Sequence, residues 1–350
     1  MNTTARAKKF FAAIGAAAVI VGTLWVPGSA FAKTAPPFRY TRVFYFTDSK
    51  AARQSLYAYW AYVDVFAPQS YAFDNDGTLS GSVNPDVLAF AHRVGLKIMP
   101  LVTNGNFSSS SAHAFLDDRG AQDRAIASLI AQARENGFWG WQLDFEQMDA
   151  SYRDRYSAFV DRFSQQLHAA GLKATVAVVA QISENPEDYT NNLWPKLIGV
   201  YDYQALGRSA DFVSIMSYDD PESTGPVTRY AWLADVLQYS MTKIPKNKIS
   251  LGIGLYYWQW NDTSGARVGI GGYQGIITAE KRHYVTWGYA TALQSAFMRW
   301  RSRGSTYTLW YENSRSVGMK VSLIKKYGLN GFSAWALGLE VPSVYQAIKQ

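Results

Sequence analysis

Between residues 140 and 146 the chain alternates strictly. Trp141, Leu143 and Phe145 fall on one side of an extended segment, and Gln142, Asp144 and Glu146 on the other. Helical runs flank it, Ala121 to Asn136 before and Tyr152 to Ala170 after. A strand set between two helices belongs to a parallel sheet with covered faces. The pattern recurs, and strands are expected at Arg42 to Phe46, Val63 to Ala67, Lys97 to Val102 and Gly140 to Glu146. Four more follow at Lys173 to Ala180, Phe212 to Tyr218, Ile249 to Tyr256 and Gly331 to Trp335. Eight strands with helices between them predict an α/β protein, a closed (β/α)8 TIM barrel rather than an open doubly wound sheet. From Trp258 to about Trp310 the pattern changes to Gly269-Ile270-Gly271-Gly272 and a Tyr/Trp-rich segment. That stretch reads as a small α+β insertion between strands 7 and 8, forming one wall of a groove.

The amino terminus follows a different logic. Arg6, Lys8 and Lys9 precede an apolar run from Phe10 to Val26, and Ala30-Phe31-Ala32 supplies small residues at cleavage spacing. Residues 1–32 are therefore expected to be a signal peptide and 33–38 a linker, with the barrel over 39–350. Uncleaved, the apolar run would anchor the protein in a membrane. Both cases place the barrel outside the cytoplasm, secreted or in the cell envelope.

Composition narrows the chemistry. The formal charge of +7 includes the three basic residues of the leader, so the exported chain carries +4. A mild excess of this kind favours anionic cell-wall polymers but is no nucleic-acid footprint, and no Arg/Lys stripe accompanies it. Without cysteine there are no disulfides, thiolate metal sites or Cys nucleophile. His92, His113, His168 and His283 are scattered, with no metal-ligand spacing, and no phosphate-binding glycine loop occurs. No metal and no cofactor are expected. Aromatic residues reach 15%, which suits stacking on sugar rings as well as core packing.

On a barrel strand, Asp144 and Glu146 point to the interior or its rim. Two carboxyl groups held together push their pKa values apart, so one stays protonated near neutral pH. That is what cleaving a glycosidic bond requires.

Asp144-Phe145-Glu146 resembles the end of the Asp-x-x-Asp-x-Asp-x-Glu strand motif of glycoside hydrolase family 18. Met216-Ser217-Tyr218-Asp219 is similar to that family's Met-x-Tyr-Asp strand, and Gly331 to Leu339 to its final strand with a floor tryptophan. Met99 to Asn104, Thr224 to Val236 and Leu251 to Tyr256 resemble the branch of spore-cortex-lytic N-acetylglucosaminidases. The resemblance implies a polysaccharide substrate containing N-acetylglucosamine, peptidoglycan ahead of chitin. It implies Glu146 as acid/base, Asp144 and Tyr218 as positioners of the acetamido group, and Trp335 as sugar floor. Asp219, Gln142, Tyr256 and Asn104 are further candidates for substrate binding. Trp258 and Trp260 extend an aromatic cluster that serves equally as platform or packing, and a loop-capping role suits Asn104 as well as a binding one. Gln142 and Trp139 stand where the family motif has its two earlier aspartates. Gln142 can hydrogen-bond Asp144 but cannot share a proton with it. A barrel of this kind without catalysis would be a glycan-binding protein, and Glu146 favours the enzyme.

Overall fold

The computed structural model describes residues 40–349. The expected signal peptide and linker lie outside the described residues. Eight parallel strands close on themselves: β1 (Thr41–Phe46), β2 (Val65–Phe73), β3 (Leu101–Asn104), β4 (Gly140–Asp144), β5 (Lys173–Val179), β6 (Val213–Met216), β7 (Ile249–Gly254) and β8 (Gly331–Trp335). Closure is direct, because β1 pairs in parallel with both β8 and β2.

Two apolar layers follow from the strand period. Inside the barrel, Val43, Tyr45, Val65, Ala67, Met99 and Leu101 pack together with Trp335. Outside, alternate residues such as Phe44, Phe66, Leu143 and Val176 meet the helices. The helix Arg153–Ala169 shows why it lies there: Tyr156, Phe159, Val160, Phe163 and Leu167 recur at helical spacing and are buried. The helix Arg119–Asn136, which leads into β4, is capped at its start by the Asp118 side chain on Ala121 N–H. It ends at Gly137 in the left-handed conformation (φ 64°), which glycine adopts without steric cost.

Strand limits differ from the sequence expectation at the catalytic ends. β4 stops at Asp144, leaving Glu146 just beyond the ladder. β3 begins at Leu101, after a separate two-residue ladder at Lys97–Ile98, because Pro100 offers no N–H for continuous pairing. β2 runs on to Phe73 through an irregularity at Gln69, and pairs there with Leu79–Gly81.

Between β7 and β8 the chain builds an antiparallel five-stranded sheet in the order Ala266–Gly271, Tyr257–Asn261, Ser305–Tyr311, Ser295–Ser302, Thr286–Ala290. The helix Tyr273–Arg282 belongs to the same insertion, and its Ile276 packs with Met298, Trp300 and Leu309. Among the described residues no helix is long and apolar enough to cross a membrane.

Candidate active site

A cavity of about 510 Å³ opens at the carboxyl ends of the barrel strands, the end where (β/α)8 barrels carry their chemistry. Its walls include Tyr45, Gln69, Asp144, Glu146, Tyr218, Asp219, Tyr256 and Trp335, and the insertion contributes Ile270 and Gly271. Six of the eight sequence candidates therefore converge here. Gln142 and Asn104 do not line the cavity.

Asn104 is a correction to the expectation of a substrate contact. It is buried, and its side-chain amide is spent on the backbone of Glu146. Its Nδ2 donates to the Glu146 carbonyl at 2.9 Å, and its Oδ1 accepts from the Glu146 N–H at 2.9 Å. Tyr201 adds a hydrogen bond from its hydroxyl to the Phe145 carbonyl at 2.6 Å. Glu146 thus leaves the sheet ladder without losing a defined position. Gln147 follows in the left-handed conformation (φ 59°), so the chain turns away immediately after the carboxyl group.

Gln142 is the second correction. It is fully buried beneath the cavity, and its Nε2 donates to Ser214 Oγ at 2.8 Å rather than to Asp144. Ser214, Ser333 and Ser250 continue the chain at 2.8 and 2.7 Å, forming a polar belt across β4, β6, β8 and β7. The amide therefore supports the barrel interior and has no direct path to substrate.

Asp144 is enclosed, and burial is the main cause that pushes its pKa up to about 8. The neighbouring Glu146 charge adds to the rise, and a hydrogen bond with Gln69 opposes it. Glu146 is raised to about 7, first by burial and then by the charge of Asp219. The two titrate as a pair, and over that range the pair holds one proton. Asp219 is also raised by burial, against the hydrogen bond that Tyr256 donates to its Oδ1 at 2.6 Å and the positive charge of Arg267. Asp219 sits in the left-handed conformation (φ 59°), a backbone state that costs a non-glycine residue about 1–2 kcal/mol. Its fixed direction brings the carboxyl group to Tyr256.

Tyr218 packs edge-on against Tyr256 with ring centres 6.3 Å apart. Tyr218 also lies close to Gly252 on β7, where a Cβ would come within 3.0 Å of its ring and 2.3 Å of the Ile215 carbonyl oxygen. Trp335 is half-buried, and Tyr45 leans against it at 5.4 Å between ring centres. Trp258 is buried beneath Arg267, whose guanidinium lies 4.3 Å from its ring, and Trp260 donates Nε1–H to the Gly225 carbonyl at 2.7 Å. Both tryptophans are packing residues, while Tyr256 reaches the cavity.

Sequence reasoning missed Tyr45 and Gln69. Tyr45 shares the inward face of β1 with Val43, so period-two spacing places it, but nothing there separates a wall from core. Gln69 lies in Pro68-Gln69-Ser70, which reads as a loop. Among the described residues no group of three His, Asp or Glu side chains is placed to hold a metal ion.

Comparison with known proteins adds an independent line. The sequence profile of glycosyl hydrolases family 18 matches residues 41–340. The uncharacterized glycosylase YvbX of Bacillus subtilis is 29% identical over 87% of this chain and 90% of its own. The cortical fragment-lytic enzyme of Bacillus subtilis is 28% identical over 84% of this chain and 68% of its own. A chitinase from Chromobacterium violaceum superposes with a TM-score of 0.78 at 30% identity, over 89% of this chain and 98% of its own. The Bacillus megaterium spore cortex-lytic enzyme SleL also gives 0.78, at 25% identity over 89% of this chain and 73% of its own.

Proposed function

The chain belongs to glycoside hydrolase family 18 and is a glycosidase, and from that premise we propose that it cleaves β-linked N-acetylglucosamine glycans with retention, assisted by the substrate's own acetamido group. The observation that carries the mechanism is the buried Asp144–Glu146 pair, which keeps one proton near neutral pH. Glu146 faces the cavity and transfers that proton to the glycosidic oxygen as the bond to the anomeric carbon breaks. The acetamido carbonyl oxygen attacks the anomeric carbon from the opposite face, giving an oxazolinium ion. With the pair's one proton on Glu146, Asp144 is the carboxylate, and it accepts from the acetamido N–H beside the growing positive charge. Tyr218 donates its hydroxyl to the acetamido oxygen, and Trp335 floors the ring. Water then loses a proton to Glu146, attacks the same carbon and restores the acetamido group.

No second carboxyl group is needed as nucleophile, so the spacing rule for ordinary retaining pairs does not apply. Gln142 leaves Asp144 without an acidic partner below it, and burial takes over the task of raising its pKa. A barrel built only for glycan binding has no use for an acid held as Glu146 is. Peptidoglycan is the favoured substrate, supported by the cortical fragment-lytic relative and by the mild positive charge. Chitin comes next, supported by the likeness to the chitinase. Export by the amino-terminal signal is part of the same proposal.

The test is the anomeric form of the first product, followed by proton NMR on a chitooligosaccharide. Retention gives the β-anomer before mutarotation. A paired substrate with a free amine in place of the reacting acetamido group is expected to resist cleavage. Initial α-anomer, or equal cleavage of the amine, would rule the mechanism out.

A further inference from the structure

Two cavities flank the central one, and they differ in what they touch. The first, of about 550 Å³, shares Gln69 and Phe107 with the centre and does not reach Glu146. The second, of about 250 Å³, shares Glu146, Met216, Tyr218 and Asp219 with it. A leaving group must have its oxygen within hydrogen-bond reach of the acid. Of the two, the second cavity is the one with Glu146 in its wall, so the leaving sugar goes there.

Its lining is lopsided. Val179, Ile182, Leu193, Leu197, Met216 and Trp232 supply apolar surface, and the ionisable side chains are Glu146, Asp188, Asp219 and Glu222. All four are carboxyl groups, and the other titratable side chains in the wall are Tyr189 and Tyr218. Three of the cations near the wall are paired with carboxylates, and a fourth, Arg267, lies over the Trp258 ring with its charge acting on Asp219. Arg229 holds the buried Asp220 at 2.5 Å and reaches Glu222 at 3.5 Å with the same guanidinium. Arg153 and Lys243 both pair with Glu184, at 3.0 and 2.8 Å. Asp188 accepts from Ser183 Oγ at 2.5 Å and from Asn185 Nδ2 at 3.3 Å, neutral donors that leave its charge in place.

We propose that this cavity selects the leaving sugar by charge: a sugar without a carboxylate is accepted, a protonated amine is favoured, and a carboxylate-bearing sugar is rejected. The inference rests on the glycosidase mechanism above and sharpens its substrate class. In peptidoglycan the leaving sugar carries a lactyl carboxyl group. The cavity therefore favours residues on which that group is blocked as an amide over those on which it is free. Like charges repel most strongly where they are desolvated, and the exposed position of Glu222 weakens this. A difference of about tenfold in kcat/KM is expected.

The experiment compares two oligosaccharides that differ only in the leaving N-acetylmuramic acid, with its lactyl group as free acid or as methylamide. A third, with glucosamine as leaving sugar, supplies the cation. At low ionic strength the amide is expected to be cut about tenfold faster than the acid, and the glucosamine substrate at least as fast as the amide. The gap should narrow at about 1 M salt, where the screening length is about 3 Å, and in Glu222→Gln and Asp188→Asn. Equal kcat/KM for acid and amide at low salt overturns the proposal. If no substrate is cut, the mechanism itself has failed. Calorimetric binding to Glu146→Gln then decides the charge question alone, with tighter amide binding supporting it and equal affinities overturning it.

Discussion

Asn104→Ala tests how the acid is held in place. The wild-type amide makes two hydrogen bonds of 2.9 Å to the N–H and carbonyl of Glu146, just beyond the end of β4. Removing it strands both groups. A buried polar group left without a partner costs about 1–3 kcal/mol, and the nearby cavity admits water that recovers part of this. A loss of about 2–4 kcal/mol in stability is therefore expected, seen as a fall in Tm on the order of 3–6 °C. The catalytic effect has a different signature. Asn104 does not line the cavity, so ground-state binding and KM should change little. A displacement of about 1 Å in Glu146 costs on the order of 100-fold in kcat. Steady-state kinetics on a chitooligosaccharide, with calorimetry of the same preparations, separates the two. Unchanged kcat with unchanged Tm would refute the reasoning. A raised KM at constant kcat would return Asn104 to the role of substrate contact.

The remaining predictions concern pH and the buried charges. Activity needs the proton shared by Asp144 and Glu146, so kcat/KM should fall as pH rises through about 7 to 8, measured on a substrate that does not titrate there. The same shifts act on stability. Both folded-state values are raised, so their contribution is full below the ordinary carboxyl range and is lost as pH rises to 7 and 8. Urea midpoints across that range should fall, and Asp144→Asn should flatten much of the slope. Lys320 and Glu312 form an ion pair of 2.7 Å with side chains only 2% and 4% exposed, where the insertion returns to the barrel. Lys320→Met leaves a buried charge and should cost about 3–5 kcal/mol. The double variant with Glu312→Leu should recover most of that loss in denaturant titrations.

The barrel was legible because its strands announce themselves by period. Trp141, Leu143 and Phe145 alternate with Gln142, Asp144 and Glu146, and the first three pack in the layer that meets the helices while Asp144 and Glu146 line the cavity. Asp144, Glu146, Tyr218 and Trp335 could be placed because each stands at a strand's carboxyl end inside a recurring motif. Asn104 and Gln142 were harder for a physical reason. An amide at a strand end suits solvent, ligand or backbone equally well, and the choice depends on where Glu146's backbone passes 42 positions later. Gln142 likewise depends on Ser214, 72 positions away. Such pairings are set by barrel closure, which local pattern does not encode. Pro100 divides the expected strand Lys97 to Val102 into two short ladders, a break that the hydrophobic pattern alone did not show.

The most direct test of the account is mass spectrometry of the products released from purified peptidoglycan and from chitohexaose by the wild-type protein and by Glu146→Gln. The wild-type protein should release peptidoglycan fragments ending in reducing N-acetylglucosamine, and shortened chitooligomers at a lower rate. A loss of turnover of about 10²–10⁴-fold is expected in the variant, which still folds and still binds the glycan. Release by Glu146→Gln at the wild-type rate, or fragments ending in reducing muramic acid, would contradict the account.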